Sequence, residues 1–168
     1  PKVRETVVDE MGKVKPFVFK AQQRGIVFDV GHGGGAFSWI QAMPAIQQGF
    51  YPNVISTDMH TQSMNGGMKD LTNVLSKFMA MGMSLKEVIA RCTWAPAQVI
   101  NREKLGHLTV GSEADIAVFS IREGKFGFLD IRNTKLEASK KLETELTIRA
   151  GKVVWDLNGI SAPTWNEK

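Results

Sequence analysis

The sequence predicts an α/β fold that gives way to a small antiparallel β module. Two short apolar runs, at residues 25–31 and 54–57, flank a stretch with helical spacing, which is the pattern of strand, helix, strand. Helical periodicity then recurs without a strand up to about residue 104, and beyond it the pattern changes to short β-type runs broken by turns.

The first run, from Gly25 to Gly31, is apolar and bounded by glycines, as suits a strand buried on both faces of a parallel sheet. From Ala36 to Gln48 the spacing of Phe37, Ile40 and Met43 predicts a helix, with Pro44 either kinking it or marking its start. Val54 to Thr57 is the second strand. Leu71, Val74, Leu75, Phe78 and Met79 recur at three-and-four spacing, so they predict an amphipathic helix that stops at Gly82. Ser84 with Glu87 forms a capping box for a further helix carrying Leu85, Val88 and Ile89. Thr93 can cap a last short helix with Pro96 in its first turn and Val99 and Ile100 facing inward. Helix after helix with no strand between them marks the end of a sheet or barrel. Ile116 to Phe119, Leu146 to Arg149 and Val153 to Trp155 then read as β strands, with Ala150-Gly151-Lys152 as a tight hairpin turn.

With 43% hydrophobic and 23% charged residues in 168, the chain can bury a sizeable core, which argues against disorder. No run is long and apolar enough for a membrane helix, and the opening from Pro1 to Glu5 has no signal-peptide character, so a cytoplasmic location is expected. That opening also lacks a Met, which fits a fragment. The net charge of +4 does not predict nucleic-acid binding, because basic residues are scattered, and Lys140-Lys141 is bracketed by Glu137 and Glu143. Cys92, the single cysteine, has apolar neighbours and reads as a small buried thiol.

Metal-competent side chains follow both apolar runs: His32 after the first, Asp58 and His60 after the second. An α/β barrel builds its active site at the C-terminal ends of its strands, and imidazole and carboxylate are ligand types that a zinc-like ion takes. A plainer reading stays open, in which the histidine is hydrogen-bonded structure and the aspartate caps the next helix. The run His32-Gly33-Gly34-Gly35 also matches the segment that supplies oxyanion-hole amides in serine esterases. That chemistry requires a Gly-x-Ser-x-Gly elbow, which the sequence lacks, and Ser38 follows too soon. His60 either contacts substrate or faces solvent, His107 reads as structural, and Asn65-Gly66-Gly67 is either an active-site loop or an ordinary turn.

Four segments together resemble the amidohydrolase superfamily, most closely its dihydroorotase-like deacetylase branch. They are Phe28 to Gly33 (FDVGHG), Ile55 to His60 (ISTDMH), Thr93 to Ala97 (TWAPA), and Gly106 to Leu108 with Gly111 to Ile116. The resemblance covers nearly the whole chain. It implies the C-terminal part of a (β/α)8 TIM-type barrel over residues 1–103, followed by a small antiparallel β-sandwich module over residues 104–168. It implies one or two divalent metal ions, zinc foremost, and hydrolysis of an amide, cyclic amide or related ester bond by metal-activated water, whose pKa falls to about 7. On this sequence it makes His32 a metal ligand, and Asp58 both a ligand and the acceptor of the attacking water's proton. It gives Gly111 and Asp115 a turn-shaping role, while the positions of His60, Gly33, Gly34 and Asn65 beside His32 and Asp58 in the sequence make them the candidate substrate contacts.

The departures are as telling. The family's His-x-His pair, its bridging lysine and the histidine one strand before His32 have no counterpart, and Ala95 replaces the usual Asn. The resemblance therefore implies a missing N-terminal half of the same protein, without which this chain is expected to bind a catalytic metal poorly and to be inactive, a small-molecule substrate, and a surface open to homo-oligomer contacts. The alternative from another class is a truncated relative that serves as a non-catalytic binding module.

Overall fold

The computed structural model describes residues 5–166; the charged opening from Pro1 to Arg4 lies outside them. Helix α1 (Pro16–Gln23), which the periodicity did not reveal, places Pro16 in its first turn, where a missing N–H costs nothing. Its Val18 joins Val8, Val14, Ala45 and Phe50 in a small satellite core. Gly25, at φ +90°, takes the chain out of the helix, and the Ile26 N–H still donates to Ala21 O. Ile26 and Val27 are consequently a half-exposed link, and strand β1 shrinks from the expected seven residues to Asp29–Gly31.

Strand β2 (Val54–Ser56) pairs parallel with β1, Val30 opposite Ile55. The shared direction delivers the residues that follow both strands to one end of the sheet. Between them lies α2 (Trp39–Gln47), with Pro44 inside it. Its inward residues are Trp39, Ala45 and Ile46, while Ile40 is exposed. This corrects the expected face: Phe37 is buried, but it precedes the helix, so the phase of the stripe is set by Trp39.

Helix α3 (Leu71–Ala80) is capped by the Asp70 carboxylate, which accepts the Asn73 N–H at 2.7 Å, and the chain turns away at Gly82 with φ +102°. Helix α4 (Leu85–Cys92) carries the expected capping box, both halves of which form. Helix α5 (Trp94–Val99) departs from expectation. Thr93 donates its hydroxyl to Ile89 O at 2.8 Å instead of capping, and Val99 and Ile100 are exposed while Ala97 is buried. A 3-10 turn at Glu103–Leu105 returns the chain so that Gly106 sits against Ala97, and a Cβ at Gly106 would lie 2.7 Å from the Ala97 Cβ. That contact, not Val99 or Ile100, covers the inner face of the helix.

Strands β3 (Ile116–Leu129), β4 (Lys135–Arg149) and β5 (Lys152–Asp156) form one antiparallel sheet in that order. Ala150 and Gly151 have φ of +47° and +76°, the two left-handed residues that a tight hairpin of matching twist requires. β3 and β4 are much longer than the apolar runs suggested, because Arg122, Glu123, Lys140 and Lys141 continue the ladder with outward charges. Among the described residues this sheet is a single layer of three strands. Register shifts near Phe119 and Phe126 bend the hairpin. Its far end enters the main core, where Phe128 and Leu142 pack with Phe37, Ile55, Val74, Leu75, Phe78 and Val88. Each such side chain contributes about 1.5–3 kcal/mol by leaving water. The Leu142 N–H also donates to Ser76 Oγ of α3 at 2.9 Å. Among the described residues no helix is long and apolar enough to cross a membrane.

Candidate functional site

The segments after β1 and β2 are tied together by the Gly33 N–H, which donates to Thr57 O at 2.7 Å. Asp58, next in the chain, has φ +49°, a left-handed conformation that costs a non-glycine residue energy and tends to mark functional positions. Its carboxylate lies close against Gly33. A Cβ added to Gly33 would be 2.5 Å from Asp58 Oδ2 and would displace that carboxylate, and Gly33 itself lies at φ +46°, a conformation that glycine adopts without strain. Ser63 is fully buried and holds the loop beyond: it accepts the His60 N–H at 3.0 Å, and its hydroxyl lies 3.1 Å from His60 O. Asp58 and His60 thereby share one open recess of about 390 Å³ with Gly34, Gly35, Ala36 and Gln62.

His32 is placed elsewhere. Its ring is fully buried and stacked on Phe37, centroids 4.7 Å apart. Nδ1 lies 2.9 Å from Gly33 O, and Nε2 lies 2.8 Å from Lys77 Nζ. A carbonyl only accepts, so Nδ1 carries the proton and Nε2 accepts from the lysine. Lys77, on α3 and fully buried, also donates to Gly67 O at 2.6 Å and Leu129 O at 2.7 Å. Burial draws the Lys77 pKa down from 10.5 to about 8, against the pull of Asp130, and burial likewise lowers that of His32. At neutral pH the pair is therefore an ammonium facing a neutral imidazole.

Asp130, 1% exposed, closes the β3–β4 turn. Oδ2 accepts the Trp39 N–H at the start of α2 at 3.1 Å, and Oδ1 accepts the N–H groups of Arg132 and Thr134 at 2.8 and 2.9 Å. Burial alone would raise its pKa; the three N–H donors and the Arg132 charge outweigh that and hold it below the usual 3.8.

Of the expected site residues, the structure brings Asp58, His60 and Gly34 to one recess, with Gly33 under Asp58, and does not bring His32 or Asn65 into it. Asn65 is exposed and offers only its carbonyl, to Lys69 Nζ at 3.4 Å. Gly67 packs on the hairpin turn, where a Cβ would lie 2.6 Å from Leu129 O. His107 is structural, its Nδ1 lying 3.1 Å from Ser112 Oγ. Lys77 and Asp130 were not foreseen. A lysine three residues after Val74 and one before Phe78, on an otherwise apolar helical stripe, was the available signal for the first. Asp130 with Asn133, in a turn between β-type runs, was the signal for the second.

Among the described residues no three His, Cys, Asp or Glu side chains gather where they could hold a metal ion, and both His32 nitrogens have partners. The residues present here do not fit a divalent metal site.

A model of the amidohydrolase family matches residues 38–154. A deacetylase from Enterococcus faecalis is 30% identical over 142 residues, covering 84% of this chain and 38% of that protein. A deacetylase from Brucella anthropi is 41% identical over 97 residues, covering 58% of this chain and 24% of that protein. Among solved structures, an adenine deaminase superposes with a TM-score of 0.84 at 30% identity, over 89% of this chain and 41% of that one. A dihydroorotase superposes with a TM-score of 0.75 at 30% identity, over 84% of this chain and 38% of that one. The chain thus spans between 24% and 41% of the length of these relatives.

Proposed function

The chain belongs to the amidohydrolase family, and on that premise we propose that it supplies the Asp58 side of a site that hydrolyses an amide, cyclic amide or related ester bond. The observation that carries this reading is Asp58 itself: a carboxylate on a strained backbone position just past the C-terminal end of a parallel strand, packed against Gly33 and opening on a recess with His60. In this role Asp58 accepts a proton from the attacking water and returns it to the leaving group, while His60 and the Gly33-Gly34 backbone contact the substrate. Residues 1–103 correspond in this reading to the C-terminal part of a (β/α)8 barrel, and residues 104–168 to its β-sandwich module. The remaining catalytic groups come from sequence that the relatives carry outside the matched region. A divalent metal, zinc foremost, is implied by the family. Among the described residues, however, His32 is held by Lys77 and no three potential ligands gather at Asp58.

The substrate is a small molecule met in the cytoplasm, and self-association is a property to read by sedimentation. The test is a hydrolysis screen of N-acyl amino acids, cyclic ureides and acyl esters with the full-length protein that carries this chain and with its Asp58→Asn variant. Turnover that drops at least about a hundredfold in Asp58→Asn, with an unchanged circular dichroism spectrum, is the expected result. Absence of turnover on all three classes would overturn it. That outcome would favour the second reading, a non-catalytic binding module, which the engagement of His32 by Lys77 supports.

A further inference from the structure

We propose that the Lys77 ammonium is the resident cation of the His32 pocket, so that Nε2 of His32 serves a side chain of the protein and not a metal ion. The three hydrogens of the ammonium meet three acceptors from three segments: His32 Nε2 after β1, Gly67 O before α3, and Leu129 O at the end of β3, all within 2.6–2.8 Å. Nζ also lies over the Phe37 ring, 5.4 Å from its centre, the same ring on which the imidazole stacks. Among the described residues no carboxylate lies within ion-pair distance of Nζ, so carbonyl dipoles, one imidazole lone pair and a π face do the local solvation. This is a coordination shell built for a monovalent ammonium.

A divalent ion on Nε2 would need the lone pair that the lysine now uses. It would also stand within a few ångströms of a buried positive charge. The lysine at the same time joins the segment after β1, the loop before α3 and the end of β3 at one point, which makes it a positioning residue for the segment His32 to Ala36. The inference does not rest on the hydrolase reading, since the Asp58 recess excludes His32.

The experiment follows the His32 ring by long-range ¹H–¹⁵N correlation in the wild-type protein while Zn²⁺ is added. The expected spectrum is a neutral ring with the proton on Nδ1, unchanged through several equivalents of zinc, and equal zinc retention on dialysis by wild type and His32→Gln. A shift at Nε2 that saturates at one zinc per chain, abolished in His32→Gln, overturns the proposal. Lys77→Ala supplies the second arm. Truncation leaves a buried gap lined by one imidazole nitrogen and two carbonyl oxygens, and propylammonium is expected to recover at least half of the lost melting temperature, whereas tetramethylammonium, which has no N–H, recovers none. Equal effects of the two salts on a folded variant would also overturn it. If Lys77→Ala does not fold, the wild-type titration decides alone. None of these readouts involves substrate turnover, so they stand or fall separately from the hydrolysis screen.

Discussion

Replacing Asp130 by alanine tests how the two halves of the molecule are held together. The carboxylate accepts three N–H groups, of which that of Trp39 is buried and those of Arg132 and Thr134 are partly accessible. Losing a charged acceptor while leaving a buried donor orphaned costs roughly 2 kcal/mol, and each donor that water can reach adds roughly 0.5–1 kcal/mol. The sum is about 3–4 kcal/mol. With a urea slope of about 2 kcal/mol/M, the unfolding midpoint followed by tryptophan fluorescence should fall by about 1.5–2 M. Asp130→Asn keeps the Oδ1 contacts but turns an amide toward the Trp39 N–H, for an expected loss of about 2 kcal/mol. The folded pKa of Asp130 lies below its unfolded value, so its contribution is complete above about pH 4 and is lost as pH falls through the folded value. The gap between wild type and Asp130→Asn should therefore be constant from pH 8 to about pH 5 and close in stronger acid. An Asp130→Ala variant within 0.5 kcal/mol of wild type, or a gap that widens on acidification, would refute the account of this turn as the tie to α2.

Gly67→Ala drives a methyl group against Leu129 O and Asp130 O at 2.6 and 2.8 Å, and should cost about 1–3 kcal/mol, read as a drop of roughly 2–10 °C in melting temperature. Ser84→Ala removes the hydroxyl half of the α4 capping box, leaving the backbone N–H of residue 84 to donate to Glu87, and should destabilise by about 1 kcal/mol; equilibrium urea unfolding checks it. Burial pushes the Cys92 thiol up to about 11, so alkylation by iodoacetamide at pH 8 should run about a hundredfold slower in the folded chain than in urea. Equal rates would show that the thiol is not shielded.

The local grammar of the chain was largely readable from its residues, because caps and breakers act within one turn. The Ser84 box, the Gly82 stop and the Ala150-Gly151 hairpin all form as their chemistry requires. Faces and partners were less legible, since they depend on what arrives from far along the chain. Ile40, Val99 and Ile100 have the spacing of core residues and are exposed, because the segments packed nearby cover other sides of their helices. The same limit applies to the site. Asp58 and His60 were marked by following a strand, and their recess forms from neighbours in sequence. Lys77, by contrast, meets Leu129 across 52 residues, and Trp39 meets Asp130 across 91, so no local pattern could pair them.

Because Phe128 and Leu142 complete the core that α3 begins, the order of synthesis matters. When Val74, Leu75 and Phe78 leave the ribosome, the side chains that will seal them from water have yet to be made. At ordinary translation rates this interval lasts several seconds, long compared with helix formation or collapse. During it the nascent polypeptide presents a greasy stripe, a species on which chaperones act. A ribosome that stalls before the hairpin is finished would release a product prone to aggregate, however well its helices have formed.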